Sequence, residues 1–108
     1  MANTFKLKSK ANVGVTTAGV YVVPSSTTTV VIGITLANTS GSSVNVGVGI
    51  TRASTDDISI LKNVPIPQVS SLEVMQGNKI VLETTDTLTA KSDVNNSLDV
   101  ALTIMEIT

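Results

Sequence analysis

The chain contains no cysteine, no histidine and no tryptophan, and its only aromatic residues are Phe5 and Tyr21. Without cysteine it can form no disulfide, and without cysteine and histidine it lacks the usual ligands of structural zinc. The same absences exclude Ser-His-Asp and Cys-His catalysis. Charged residues are also scarce, at 14% of the chain, against roughly 25% in a typical domain. Several common enzyme and metal-binding classes are therefore excluded.

β-branched residues are what the chain has in abundance. Valine, isoleucine and threonine together account for 41 of its 108 residues, and 42% of the residues are hydrophobic. Such residues fit the pleated surface of a sheet. The high apolar content and low charge argue against intrinsic disorder. A chain of 108 residues has the size of one domain, so we expect residues 1–108 to fold as a single unit.

The charge balance bears on partners and location. Seven basic and eight acidic residues give a net charge of −1, which supplies no basic groove for nucleic acid. The N-terminus lacks the apolar core of a signal peptide. The longest uncharged run, residues 11–51, is interrupted throughout by glycine, serine, threonine and asparagine, unlike a membrane span. We expect no nucleic acid, no membrane and no signal peptide, with synthesis in a cytoplasm.

Alternation of period two dominates the sequence and predicts β-strands. Turn-forming residues recur every 8–12 residues, a spacing typical of sandwiches. We predict an all-β, antiparallel β-sandwich, jelly-roll-like or immunoglobulin-like, with about eight or nine strands. The predicted strands cover residues 5–13, 20–23, 28–38, 44–51, 58–64, 71–75, 79–83, 87–91 and 97–107.

Two strands carry candidate interface residues. In the first strand Phe5 and Leu7 alternate with Lys6, Lys8 and Lys10, which predicts a half-buried strand with a basic outer face. That face either contacts an acidic partner or is solvated and protects a sheet edge from aggregation.

The second candidate lies on the fourth predicted strand, where Gly47 and Gly49 share one face. Such glycines lie either under a neighbouring segment of the chain or at the close approach of another subunit. On the preceding strand, Val30, Ile32, Ile34 and Leu36 are predicted to share one face. Because the opposite face is also low in polarity, that strand is expected to be central.

No catalytic constellation emerges from the acidic residues. A glycosidase needs two carboxylates facing each other across a cleft, whereas the adjacent Asp56 and Asp57 would point to opposite sides of an extended chain. Calcium bound by Asp56, Asp57 and Asp93 is an open alternative. We otherwise expect no catalytic residue, no cofactor and no enzymatic activity.

The pattern of strands and junctions resembles small virion structural proteins of tailed phages, notably those that infect marine bacteria and cyanobacteria. The resemblance spans most of the chain and includes no catalytic signature. It implies a non-enzymatic building block of the virion, present in many copies on the capsid surface, the neck or the tail. The segments that carry it are residues 1–6, 20–24, 27–29, 31–38, 61–67, 79–83 and 105–108.

The sequence thus favours a capsid decoration or cement protein, or a neck or tail accessory subunit. Such a subunit would associate with itself as a trimer or ring and dock on capsid, neck or tail proteins. The alternative is a receptor- or carbohydrate-binding fibre or tip module, for which Tyr21 is the candidate sugar platform. With so few aromatic residues to stack on sugars, this alternative is the weaker interpretation.

Overall fold

The computed structural model describes residues 2–52, 57–75 and 79–108, and these residues form nine strands. They contain no helix, and so none that could cross a membrane. The all-β prediction is confirmed, and every predicted strand has an observed counterpart. The strands are β1 (Asn3–Val13), β2 (Ala18–Val22), β3 (Thr28–Asn38), β4 (Val44–Thr51), β5 (Ile58–Ile66), β6 (Ser71–Glu73), β7 (Ile80–Leu82), β8 (Thr87–Ser92) and β9 (Leu98–Ile107).

The strands form two antiparallel sheets packed as a sandwich. In the first sheet the order is β1-β9-β3, and β6 and β7 pair with opposite ends of the far edge of β3. In the second sheet the order is β2-β8-β4-β5. Strand β3 is central, as its low polarity on both faces predicted. Among the nine described strands, only β4 and β5 are both consecutive in sequence and paired. The other connections run from one sheet to the other, except the connection between β6 and β7, which lie in the same sheet.

The core lies between the sheets and consists almost entirely of aliphatic side chains. On β4 the buried positions alternate from Val44 to Ile50, and on β9 they alternate from Leu98 to Ile104, as the period-two pattern predicted. Tyr21 is the aromatic member of this core. Burial of aliphatic side chains supplies the main driving force for folding.

Strand β3 departs from its predicted facing because of a β-bulge. The register with β9 shifts between Val31 and Gly33, so Val31, Ile34 and Leu36 are fully buried whereas Val30 and Ile32 are only partly buried. An extra residue in one strand reverses the facing of everything beyond it. The prediction that Val30 and Ile32 share a face with Ile34 and Leu36 is therefore wrong.

Strand β5 continues further than the sequence pattern predicts. Pro65 is expected to break the strand, but it pairs opposite Asn45, and Ile66 beyond it is buried opposite Val44. Proline lacks the N–H group that a central strand needs. Because β5 forms the edge of its sheet, one side of its backbone needs no partner and the proline is tolerated.

Candidate interaction surface

Strand β1 presents its two faces in the opposite sense to the prediction. Phe5 and Leu7 are 70% and 68% exposed. They lie opposite Met105 and Thr103 of β9, on the outer side of the sheet, whereas Lys6 and Lys8 lie opposite the buried Ile104 and Leu102. Directly opposed residues of an antiparallel pair share a face. The predicted basic outer face is therefore wrong: the outer face of β1 is apolar, and its lysines lie on the side of the sheet that carries the core.

A second β-bulge causes this reversal. The register with β9 shifts between Lys10 and Val13, and Asn12 adopts a left-handed conformation with φ of 58°. Its backbone N–H donates to the Asp99 carboxylate at 3.0 Å. Val13, beyond the bulge, is buried opposite Leu98. A single alternation from Phe5 to Val13 would put both ends on one face, but the extra residue places them on opposite faces.

A polar cluster ties this inward side of β1 to the sandwich. The Lys6 Nζ lies 2.8 Å from Oε1 of Glu106, and the Tyr21 hydroxyl donates to Oε2 of the same carboxylate at 2.5 Å. The Tyr21 oxygen also lies 2.8 Å from the Thr29 hydroxyl. Glu106 and Tyr21 are only 5% and 6% exposed. One buried carboxylate therefore links β1, β2, β3 and β9.

The cluster perturbs the pKa values of its members in the directions its contacts dictate. Burial raises the pKa of Tyr21 to about 12 from its ordinary 10.0, and the hydrogen bond to Glu106 adds to this effect. The Lys6 ammonium, followed by the Tyr21 hydroxyl, holds the pKa of Glu106 below its ordinary 4.5. A charge-assisted network of this kind favours a neutral tyrosine beside an ionised carboxylate.

The sequence pattern missed Glu106 as a member of this cluster. It occupies the next inward position after Ile104 on β9, where period two alone predicts an apolar residue. The signal that could have identified Glu106 is a charged residue at a position that the alternation assigns to the buried face, because a buried charge requires a partner. Nothing in the sequence indicated that Lys6, 100 positions earlier, supplies that partner.

The cluster also removes Tyr21 as a candidate sugar platform. Its ring is buried, and its hydroxyl is engaged by Glu106 and Thr29. A stacking platform needs an exposed aromatic face. Phe5 is the aromatic side chain that remains exposed.

Apolar residues continue from Phe5 across the outer face of the first sheet. The register places Phe5 opposite Met105, Met105 opposite Val30, and Val30 opposite Val81. These four residues form one row across four strands, which we call the apolar row. Val81 is exposed, and Met105 and Val30 are partly exposed. Contiguous apolar side chains on a sheet face are typical of interaction surfaces.

Gly47 and Gly49 lie on the outer side of the second sheet, where the backbone of the neighbouring strand β5 approaches them closely. A Cβ atom at Gly49 would lie 2.8 Å from the carbonyl oxygen of Ile58, and one at Gly47 would lie 3.4 Å from that of Leu61. The backbone that approaches these glycines belongs to the chain's own paired strand. Their role as an interface with another subunit stays a prediction.

A groove of about 390 Å³ runs over these glycines between β5 and β8. Four ionisable side chains line it: Asp57, Lys62, Lys91 and Asp93. Asp57 accepts a hydrogen bond from the backbone N–H of Arg52, and Asp93 accepts one from that of Asn45. Asp57 therefore stabilises its own loop, whereas Asp93 joins the loop after β8 to β4.

The candidate cation site of Asp56, Asp57 and Asp93 is only partly described, because Asp56 lies outside the described residues. Among residues 2–52, 57–75 and 79–108, no three acidic, histidine or cysteine side chains come together as a metal site. The polar contact of Asp57 to a backbone N–H group nearby in sequence is the ordinary behaviour of aspartate in turns.

No protein-family model matches the chain, and no curated protein matches its sequence. Solved structures resemble its fold, and two of them come from assemblies. One is a subunit from the disulfide-linked pili that form Bacillus endospore appendages, with a TM-score of 0.60 and 12% identity over 99% of this chain and 87% of that one. The other is from the capsid of Helicobacter pylori bacteriophage KHP30, with a TM-score of 0.58 and 12% identity over 100% of this chain and 94% of that one. At this identity the likeness establishes a shared sandwich fold across the whole chain.

Proposed function

We propose that this chain is a non-enzymatic structural subunit of a phage virion that acts by self-association and by docking on the particle. The observation that carries this proposal is the full-length likeness to subunits of two assemblies, a phage capsid and a pilus. A domain of this size with an exposed apolar row has a physical reason to assemble, because association removes that row from water.

The strand order supports a jelly roll over an immunoglobulin-like fold. Counting β6 and β7 as one interrupted strand, the sheets read 1-8-3-6 and 2-7-4-5, which is the order of an eight-stranded jelly roll. The immunoglobulin order instead pairs the first two strands of the chain in one sheet, whereas β1 and β2 lie in different sheets here. Jelly rolls are recurrent in viral capsids.

Within the virion, we favour a capsid decoration or cement protein, with a neck or tail accessory subunit as the second position. The resemblance to proteins of marine and cyanobacterial tailed phages supports these positions, and the structural likeness to a phage capsid supports a place in the virion. A trimer or ring is the expected assembly, because in a closed symmetric assembly every copy makes the same contacts.

Assembly of this chain uses no disulfide bonds. The similar pili are described as disulfide-linked, but this chain has no cysteine. Burial of apolar surface and strand pairing are the sources of association energy that we propose.

Light scattering combined with co-sedimentation tests the proposal. The purified chain is expected to form a defined oligomer and to sediment with phage particles that lack it. A strictly monomeric chain at high concentration, with no affinity for particles, would overturn the proposal. Turnover of a glycoside or ester that is lost on substitution of a carboxylate would overturn its non-enzymatic part.

A further inference from the structure

We propose that the outer face of the β1-β9-β3 sheet is a two-fold interface between two copies of this chain. This inference rests on the proposed function and deepens it, because it assigns one of the self-association surfaces and names its occupant. The face consists of five rows of residues that run across the strands, in the register set by β9.

The two ends of this face have opposite shapes. At the end near both chain termini, the apolar row projects large side chains from the sheet. At the other end lies a shallow hollow of about 280 Å³. Its lining is mostly small: Ser9, Ala11, Thr35, Ala37 and Ala101, with Lys10, Asp99 and Val100. A projection and a hollow on one surface are the elements of a self-complementary contact.

Consider a two-fold axis that runs perpendicular to the strands, along the row of Leu7 and Thr103. It would place the projecting end of each copy over the hollow of the other copy. Two copies packed face to face would then place Phe5 over Ser9 of the second copy and Met105 over Ala101. The same contacts occur twice, as an isologous interface requires. Large side chains over small ones allow two sheets to approach at the usual distance of about 10 Å.

The two carboxylates of the face, Asp99 and Glu73, are already engaged. Asp99 accepts a hydrogen bond from the Asn12 backbone N–H. On β6, Glu73 accepts bonds from the backbone N–H of Ile34 at 3.2 Å and the Thr35 hydroxyl at 2.9 Å. The Lys6 ammonium lies on the opposite side of the sheet, on Glu106. Depletion of free charge is what distinguishes the centre of a protein interface from ordinary surface.

The size of the face suits a dimer. Ten residues along a strand span about 33 Å and four strands span about 19 Å, so each copy offers about 600 Å² and the pair about 1,200 Å². This total lies at the lower end of stable specific interfaces. The outer face of the second sheet differs, because its groove carries four ionisable side chains.

Sedimentation velocity of matched variants tests the interface. Phe5→Lys places a charge on the apolar row at a site that is 70% exposed, so the fold should tolerate it. We expect at least a tenfold weaker dimer, because an unpaired charge would be buried at the contact. The control is Val69→Lys, at a more exposed valine in the turn between β5 and β6, which should dimerise like the wild type. Circular dichroism reports that each variant is folded.

Cysteine cross-linking tests the orientation of the two copies. Because the chain has no cysteine, Thr103→Cys introduces a single thiol on the exposed middle row of the face. A short bis-maleimide should join two such copies, whereas Thr51→Cys, exposed on the second sheet, should give no dimer. Cross-linking at Thr51 alone, or self-association unchanged by Phe5→Lys, would overturn this interface while leaving the proposed function intact. A monomeric wild type without affinity for particles would overturn both.

Discussion

Gly49 lies where the backbone of β5 passes closest to β4, and no larger residue fits there without displacement. Because an added Cβ would meet the Ile58 carbonyl oxygen at 2.8 Å, Gly49→Ala should force the two strands apart. We expect the free energy of unfolding to fall by about 1–3 kcal/mol. Urea denaturation monitored by circular dichroism measures this change.

Gly41 offers the matched control for that substitution. It lies in the turn between β3 and β4, and a Cβ there would meet no atom within 4 Å. Gly41→Ala should therefore leave stability within about 0.5 kcal/mol of the wild type. An equal loss in both variants would contradict the steric explanation and indicate a general cost of replacing glycine.

Val69 is a strained residue whose replacement should stabilise the fold. It is 83% exposed, and its φ of 55° places a β-branched residue in the left-handed region. Val69→Gly removes the clash of Cβ with the backbone and loses almost no burial, so stability should rise by about 1 kcal/mol. Thermal unfolding detects this gain as a higher Tm.

Val81→Gly is the control for Val69→Gly. It removes a second exposed valine at a position without backbone strain, so any effect common to both variants comes from the loss of the side chain. Val81 lies within strand β7 and is not among the residues with positive φ. Val81→Gly should lower stability by about 0.5–1 kcal/mol, because glycine weakens a strand. A higher Tm for both variants would refute the strain assigned to Val69.

At the scale of elements, the attachment of β1 depends on the protonation of the Tyr21–Glu106 pair. Burial raises the pKa of Tyr21 to about 12 in the folded state, whereas its ordinary value is 10.0. The folded state therefore holds the proton more tightly, and its stability should decline as pH rises from 10 toward 12. As Tyr21 is the only tyrosine, the ultraviolet absorbance of phenolate reports its ionisation directly.

Tyr21→Phe is the control for this alkaline transition. The variant loses the hydroxyl and with it the pH dependence of stability between 10 and 12. If the wild type lost no stability in that range, or if the Tyr21→Phe variant showed the same alkaline decline as the wild type, the transition would not belong to this hydroxyl.

The same cluster sets the acid side of the stability profile. The pKa of Glu106 is depressed chiefly by Lys6, so its contribution is present above the ordinary value of 4.5 and is lost as pH falls through the lower folded value. Lys6→Met should cost about 1–3 kcal/mol at neutral pH and shift the acid decline to higher pH. Urea denaturation across this pH range measures both effects.

Lys10→Met provides the comparison, because Lys10 lies on the same face of β1 two positions beyond Lys8 and forms no ion pair among the described residues. It should change stability by less than about 0.5 kcal/mol and leave the acid decline in place. Equal effects of both substitutions would indicate general charge reduction instead of a specific contact with Glu106.

The positions of the strands could largely be predicted from the sequence, but which side of each strand is buried could be predicted only for some of them. Strands such as β4 and β9 alternate without interruption, and their buried residues follow directly from the sequence. Strands β1 and β3 each contain a bulge, and each reverses facing where the bulge occurs. A bulge is fixed by pairing with β9 and by contacts such as that of Asn12 with Asp99, 87 positions apart, which no local pattern contains.

At the scale of the whole molecule, the chemistry of self-association predicts its response to salt. An interface on the apolar face depends on burial and should weaken less than threefold when ionic strength rises from about 0.05 to about 0.5 M. A contact made by Lys6, Lys8 and Lys10 with an acidic surface would weaken strongly over the same range. Sedimentation equilibrium at both salt concentrations distinguishes these surfaces, and strong salt dependence would contradict the apolar one.

The sequence by itself determined the class of the fold, the positions of its strands and the kinds of chemistry that the chain lacks. These properties are local, because they follow from residue types and from alternation along a single strand. The tertiary structure decided which side of β1 faces outward, that the backbone of β5 approaches Gly47 and Gly49, and that Lys6, Tyr21 and Glu106 meet. Each of these outcomes depends on the register between strands distant in sequence, and a shift of one residue in that register exchanges the buried face for the exposed one.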